Sequence, residues 1–148
     1  MMRTLAIILL LFLTSDVNSS SRVSRDDYRI ISEMEKQAKW EQLVQSIILV
    51  ESEGKKDAVG DNGKAVGLFQ IHPIMVRDVN RIIGENVYTY HDRLDSVKSR
   101  EMFEIYQSYY NPDKDLQTAA YLWNGGPRYY NYMGNVKKYW KKINNVKI

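Results

Sequence analysis

Cysteine is absent from the 148 residues, and that gap alone excludes disulfides, thiol nucleophiles, thiolate zinc sites and a lipid anchor on an N-terminal cysteine. Stability must therefore come from packing. Histidine occurs only twice, at the separated positions His72 and His91, and there is no His-Glu-x-x-His pattern or glycine-rich phosphate loop. Neither a metal centre nor a nucleotide site is expected, and no cofactor is required. Only three prolines interrupt the chain, which leaves long stretches open to helix. Charge of one sign is not in large excess either. The formal net charge of +3 suits an anionic polymer but does not choose between cell wall and nucleic acid. A hydrophobic fraction of 44% with 26% charged residues is that of a folded protein rather than a disordered tail. At this length one domain with a real apolar core is expected.

The apolar run Leu5-Ala6-Ile7-Ile8-Leu9-Leu10-Leu11-Phe12-Leu13 follows Arg3 and precedes the small and β-branched residues Val17-Asn18-Ser19. This is the pattern of a secretory signal, and the run falls well short of the ~20 apolar residues a membrane span needs. The expected organisation is a signal peptide over residues 1–19, a serine-rich linker over 20–24 and a single domain over 25–148. The mature chain is expected in the periplasm or secreted, without stable membrane insertion, and as a monomer.

From Arg25 onward the apolar spacing is mainly helical. One amphipathic segment covers Asp26 to Lys39 and another Trp40 to Glu51, either as two helices or as one with a bend, ending before Gly54 as a C-cap. Between Asp57 and Ile71 the run Gly60-Asp61-Asn62-Gly63 predicts a small hairpin or irregular loop. Pro73 can open a helix reaching about Ile83. Asp92 or Asp95 can cap another carrying Met102, Phe103, Tyr106, Tyr109 and Tyr110, stopped by Asn111-Pro112. Leu116, Ala119, Ala120 and Trp123 mark a short helix ended by Gly125-Gly126-Pro127, and Val136, Tyr139, Trp140 and Ile143 mark a last one. The expected fold is mainly α with a minor β element.

Glu51 stands out in this pattern. Trp40, Leu43, Val44, Ile47, Ile48 and Glu51 share one helical face, so an ionisable carboxyl falls on an apolar stripe. Desolvation favours the neutral acid and raises its pKa, and a carboxylic acid still protonated near neutrality can act as a general acid. That chemistry suits cleavage of a glycosidic bond. Glu53, beyond the stripe, reads as an ordinary carboxylate at a helix end.

Three ordered motifs, Glu51-Ser52, Gly67-Leu68-Phe69-Gln70-Ile71 and Ala119-Ala120-Tyr121-Leu122-Trp123-Asn124-Gly125-Gly126-Pro127, resemble those of the soluble lytic transglycosylase domain. That family is a branch of the lysozyme-like superfamily related to goose-type lysozyme, and the resemblance spans roughly Trp40 to Ile143. It implies an α+β lysozyme-like fold, with a central buried helix and a small hairpin or loop flanking a cleft. It also implies that Glu51 protonates the oxygen between N-acetylmuramic acid and N-acetylglucosamine in peptidoglycan. Ser52, Gly67, Gln70, Tyr106, Trp123 and Asn124 would then be substrate-binding residues. Phe69 stands where methionine is usual, a mild exchange of apolar volume. Trp123 stands at the usual tyrosine, which removes a phenol but keeps a face for stacking on sugar.

Each of these residues also has a plainer reading. Gln70 can also be read as a surface amide, Asn124 as a helix C-cap and Tyr106 as core. Lys137, Lys138, Lys141 and Lys142 read as a solvated helix face. Asp61 matters most for the outcome. As a second carboxylate it would activate water, as in goose-type lysozyme; as part of Asp61-Asn62-Gly63 it is a good turn residue. Without a second carboxylate the sugar's own 6-hydroxyl attacks and closes a 1,6-anhydro ring, which is the preferred reading. Hydrolysis using Asp61 is the first alternative, and a non-catalytic peptidoglycan-binding or assembly module is the second. Nucleic-acid binding through the basic C-terminus is not expected for an exported chain.

Overall fold

In the computed structural model, which describes residues 24–146, five α-helices and one two-stranded antiparallel sheet follow in the order α1 (Arg25–Ser52), β1 (Val59–Gly60), β2 (Ala65–Val66), α2 (Pro73–Ile83), α3 (Ser96–Tyr110), α4 (Leu116–Gly125) and α5 (Met133–Asn145). Short 3-10 turns cover Asp61–Gly63, Tyr90–Leu94 and Tyr129–Tyr132. The fold is mainly helical, as the periodicity predicts. The predicted signal peptide, and all but the last residue of the predicted linker, lie outside the described residues. Among those described, no helix is long and apolar enough to cross a membrane.

The described residues divide into two units, one ending at Glu35 and the other beginning at Lys36. In the first, Ser24 and Asp27 cap the start of α1 reciprocally: the Ser24 backbone N–H donates to Asp27 Oδ2 at 2.9 Å, and the Asp27 N–H donates to Ser24 Oγ at 3.1 Å. The segment Asp26 to Lys39 is helical but buries no face, since Tyr28, Ile30, Ile31 and Met34 are exposed. It belongs to the same helix as the Trp40 to Glu51 stretch, so the two predicted segments form one element.

In the second unit, burial begins abruptly at Trp40. Trp40, Leu43, Val44 and Ile47 form the buried stripe of α1, spaced as a single helical face requires. They pack with Phe103 of α3, with Phe69 and with Ala119 and Ala120 of α4. Phe69 stacks on Phe103 at 5.2 Å between ring centroids. Burying one such ring contributes about 2–3 kcal/mol, so phenylalanine fills the place the motif usually gives to methionine. Behind this core, Trp40 Nε1 donates to Glu104 at 2.9 Å, and Arg100 reaches both Glu41 and Glu104, which ties α1 to α3.

Local chemistry sets the element ends. Pro73 occupies the first turn of α2, and Gly84 closes it in the left-handed conformation. Both aspartates proposed as caps are used: Asp95 accepts from the Val97 and Lys98 N–H groups at the start of α3, while Asp92 pairs reciprocally with Thr89 around the preceding 3-10 turn. Gly125 lets α4 and α5 touch, because a Cβ there would come within 2.8 Å of both Tyr129 Cβ and Val136 Cγ1.

The hairpin pairs Val59 with Val66 and Gly60 with Ala65, and Asp61, Asn62 and Gly63 all take positive φ in the turn. Arg93 locks it in place. Its Nη1 donates to the Lys64 and Ile71 carbonyls at 2.9 Å. The hairpin can approach this segment only because Gly67 has no side chain: at φ +79° a Cβ would lie 2.1 Å from the Arg93 carbonyl oxygen. Gly54 provides a contrast, since its φ is also positive but nothing lies within 4 Å of an added Cβ. Gly67→Ala is therefore expected to destabilise the protein by about 2–4 kcal/mol, the sum of left-handed strain and overpacking, and Gly54→Ala by about 1 kcal/mol from strain alone. Urea denaturation of the two variants measures the difference.

Candidate active site

Glu51 is the penultimate residue of α1, at the point where the buried stripe runs out toward a cavity of about 800 Å³. Six of the residues singled out from the sequence line this cavity: Glu51, Asp61, Gln70, Tyr106, Trp123 and Asn124. They come from α1, the hairpin turn, the segment before α2, α3 and α4, so only the folded chain assembles them. Ser52 and Gly67 are not among the lining residues. Ser52 is buried, with its hydroxyl within hydrogen-bond reach of the Ile48 carbonyl at 3.0 Å and the Leu68 carbonyl at 2.8 Å. It fastens the end of α1 to the segment after the hairpin. Gly67 likewise serves the approach of backbone to Arg93.

The Glu51 carboxyl is held by a group that sequence reasoning treated as core. Tyr139 Oη, on α5 and 88 residues away, donates to Glu51 Oε1 at 2.6 Å. Burial pushes the Glu51 carboxyl above the ordinary glutamate range, against the opposing pull of the Tyr139 hydrogen bond and the Lys142 charge. Burial first, and then the charge of Glu51, hold the Tyr139 phenol well above its own ordinary value, so it stays a donor. The only hint in the sequence is a tyrosine inside the stripe Val136, Tyr139, Trp140 and Ile143: a buried phenol needs a hydrogen-bond partner, but no spacing rule names one so distant.

The other lining groups divide by what they already bind. Gln70 has φ +49°, and its Nε2 donates to the Ala58 and Gly67 carbonyls at 3.2 and 3.0 Å. Its amide nitrogen is thereby committed to bracing the hairpin. Asn124 does not cap α4, which ends at Gly125 with the Gly126 N–H bonded to the Leu122 carbonyl at 2.8 Å. Its side-chain amide makes no hydrogen bond among the described residues and faces both this cavity and a neighbouring one of about 520 Å³. Tyr106 is buried, with its ring packed on Tyr110 at 4.8 Å and edge-on to Trp123 at 6.2 Å, yet it reaches the cavity lining. Trp123 also packs on Phe103 at 4.9 Å, so the indole joins the core on one side and the cavity on the other.

Asp61 is a turn residue at φ +45° that also lines the cavity. His72 Nε2 lies 3.5 Å from its Oδ2. Of the four lysines on α5, all exposed, Lys138 and Lys142 line the smaller cavity next to Tyr139. That face is more than a solvated surface, because the Lys142 charge acts on Glu51.

A family model described as the transglycosylase SLT domain matches residues 29–145. No curated protein and no solved structure matches the chain.

The raised Glu51 pKa has a consequence for stability. The folded protein holds the proton more tightly than the unfolded chain does. The stability this contributes is complete below the unfolded value and is lost as pH rises through the folded one. Glu51→Gln keeps an acceptor for Tyr139 but cannot ionise. It is expected to be more stable than wild type near about pH 8, with the gap closing toward about pH 4. Thermal unfolding followed across that range checks the sign.

Proposed function

Because the chain belongs to the transglycosylase SLT domain family, whose members act on peptidoglycan, we propose that it cleaves the β-1,4 bond between N-acetylmuramic acid and N-acetylglucosamine with Glu51 as sole acid and base, releasing 1,6-anhydromuropeptides. The observation that carries this reading is a desolvated carboxyl lining an open cavity, with one oxygen already engaged by a phenol.

Since Oε1 accepts the Tyr139 hydrogen bond, the acid proton resides on Oε2, which is left to face the substrate. Glu51 gives that proton to the bridging oxygen as the bond to the anomeric carbon breaks, and the N-acetylglucosamine side departs as an alcohol. The acetamido group of the substrate assists at the anomeric carbon. The carboxylate left behind is stabilised at that stage by Tyr139 and by Lys142, the two influences that lower its pKa. It then takes the proton of the 6-hydroxyl, whose oxygen closes the anhydro ring, and Glu51 is protonated again. No water is consumed. Trp123, Asn124 and Tyr106, which line the same cavity, contact the sugars. The predicted leader would deliver the chain to the compartment that holds this polymer.

One observation favours a second reading, hydrolysis. Asp61 lines the same cavity with His72 beside it, so a carboxylate able to activate water is at hand. Transglycosylation is preferred because Asp61 is also fully accounted for by the turn it makes.

Digestion of purified peptidoglycan tests both. Wild type is expected to release soluble muropeptides, and Glu51→Gln to do so at least about a hundredfold more slowly, the range for loss of a general acid. Mass spectrometry should find products about one water lighter than those of hydrolysis. Equal release by both proteins removes Glu51 from the mechanism, and reducing-end products assign the reaction to hydrolysis.

A further inference from the structure

The cavity holding Glu51 borders a second one of about 880 Å³, and the two share just two lining residues, Arg77 and Arg81. These lie four residues apart on α2, hence on one face of the helix, and form the ridge between the two spaces. Their surroundings differ. Arg81 is committed: it pairs with Asp78 at 2.7 Å, donates to Tyr110 Oη at 2.8 Å and lies over the Tyr109 ring. Asp78 in turn accepts from Tyr110 Oη at 3.0 Å, so this carboxylate is already taken up. Arg77 has no ion pair among the described residues. Its one polar contact is neutral, to Tyr90 Oη at 3.2 Å.

A guanidinium presents five donors in a planar fork suited to carboxylates, and most of those of Arg77 are unspent. The second cavity is lined largely by neutral polar groups, among them Asn86, Thr89 and Tyr90, with Glu85 as its one acidic residue. In a peptide-bearing strand the lactyl carboxyl of each N-acetylmuramic acid is spent in the amide bond to the peptide, so the sugars themselves are neutral and have little use for an unpaired cation. The peptide that branches from the lactyl ether of N-acetylmuramic acid does carry free carboxylates, and it must leave the sugar cleft to one side.

We propose that Arg77 is a specificity-determining contact that takes a carboxylate of this peptide branch, and that the branch crosses the Arg77 and Arg81 ridge into the second cavity. Arg81, fixed by Asp78 and Tyr110, holds the ridge in shape. The protein then discriminates in favour of peptide-bearing strands over bare glycan. This inference rests on the peptidoglycan reading above and adds which form of the polymer is preferred.

The test compares peptide-bearing glycan strands with the same strands stripped of peptide by an amidase and with the lactyl carboxylates so exposed converted to amides, and with strands whose peptide carboxylates have been converted to amides. For wild type, kcat/KM should be higher on peptide-bearing than on stripped strands. Arg77→Gln should reduce that preference about tenfold, through KM, the scale of one charge-assisted hydrogen-bond pair. Arg77→Lys should restore part of it. Amidated strands should show the same loss with wild type, and Arg77→Gln should lower it no further on them. An unchanged preference in Arg77→Gln, or equal preference for amidated and free carboxylates, overturns the proposal. If wild type cleaves none of these strands, the catalytic reading fails and this one is decided separately: the affinity of Glu51→Gln for peptide-bearing over stripped fragments, with and without Arg77→Gln, must show the same drop, and its absence refutes the contact.

Discussion

Everything at the candidate site follows from the placement of one carboxyl at the end of an apolar helical stripe. Desolvation makes the neutral form of Glu51 the favoured one, while the Tyr139 hydrogen bond and the Lys142 charge work in the opposite direction. The first effect prepares an acid and the others prepare its conjugate base. A group that must both give and take a proton needs its two states to be close in free energy near the working pH. Burial alone would make the carboxylate too costly, and full solvation would make the acid too scarce. The phenol further distinguishes the two oxygens, because it occupies Oε1, and in the proposed mechanism Oε2 carries the proton.

Around that carboxyl, several residues of the motifs also brace the backbone. Ser52 joins the end of α1 to the Leu68 carbonyl, Gln70 braces the hairpin against Ala58 and Gly67, and Gly67 admits the Arg93 segment. The effect of these contacts is to brace the hairpin and the segment before α2, which carry Asp61 and Gln70 into the lining of the cavity that Glu51 also lines. The side-chain amide of Asn124 has no hydrogen bond among the described residues, and the guanidinium of Arg77 has only its contact to Tyr90.

Most of the architecture was legible because local chemistry agrees with the periodic pattern. Pro73, Asp95, Asn111-Pro112 and Asn62-Gly63 each open, cap or end an element for a reason that depends on near neighbours only. The stripe from Trp40 to Ile47 is buried as its spacing requires. Legibility ended where distance in sequence exceeded the reach of those rules. Nothing in the spacing pairs Tyr139 with Glu51 across 88 residues, or brings Lys142 within influence of the acid. The same limit explains why Asp26 to Lys39 could be given a periodic face but not the knowledge that this face stays exposed, and why Ser52 reads as a ligand contact until the Leu68 carbonyl is seen beside it.

The central claim is that the fold itself holds Glu51 protonated beyond the range of an ordinary glutamate. The most direct measurement is a carbon-13 NMR titration of the side-chain carboxyl resonances in the free protein, with the Glu51 signal assigned by its loss in Glu51→Gln. Glu53 supplies an internal reference, since it is exposed and its pKa is lowered by its hydrogen bond to Lys55. The account predicts a Glu51 midpoint clearly above that of a solvated glutamate and of Glu53. A midpoint at or below the solvated value would contradict it.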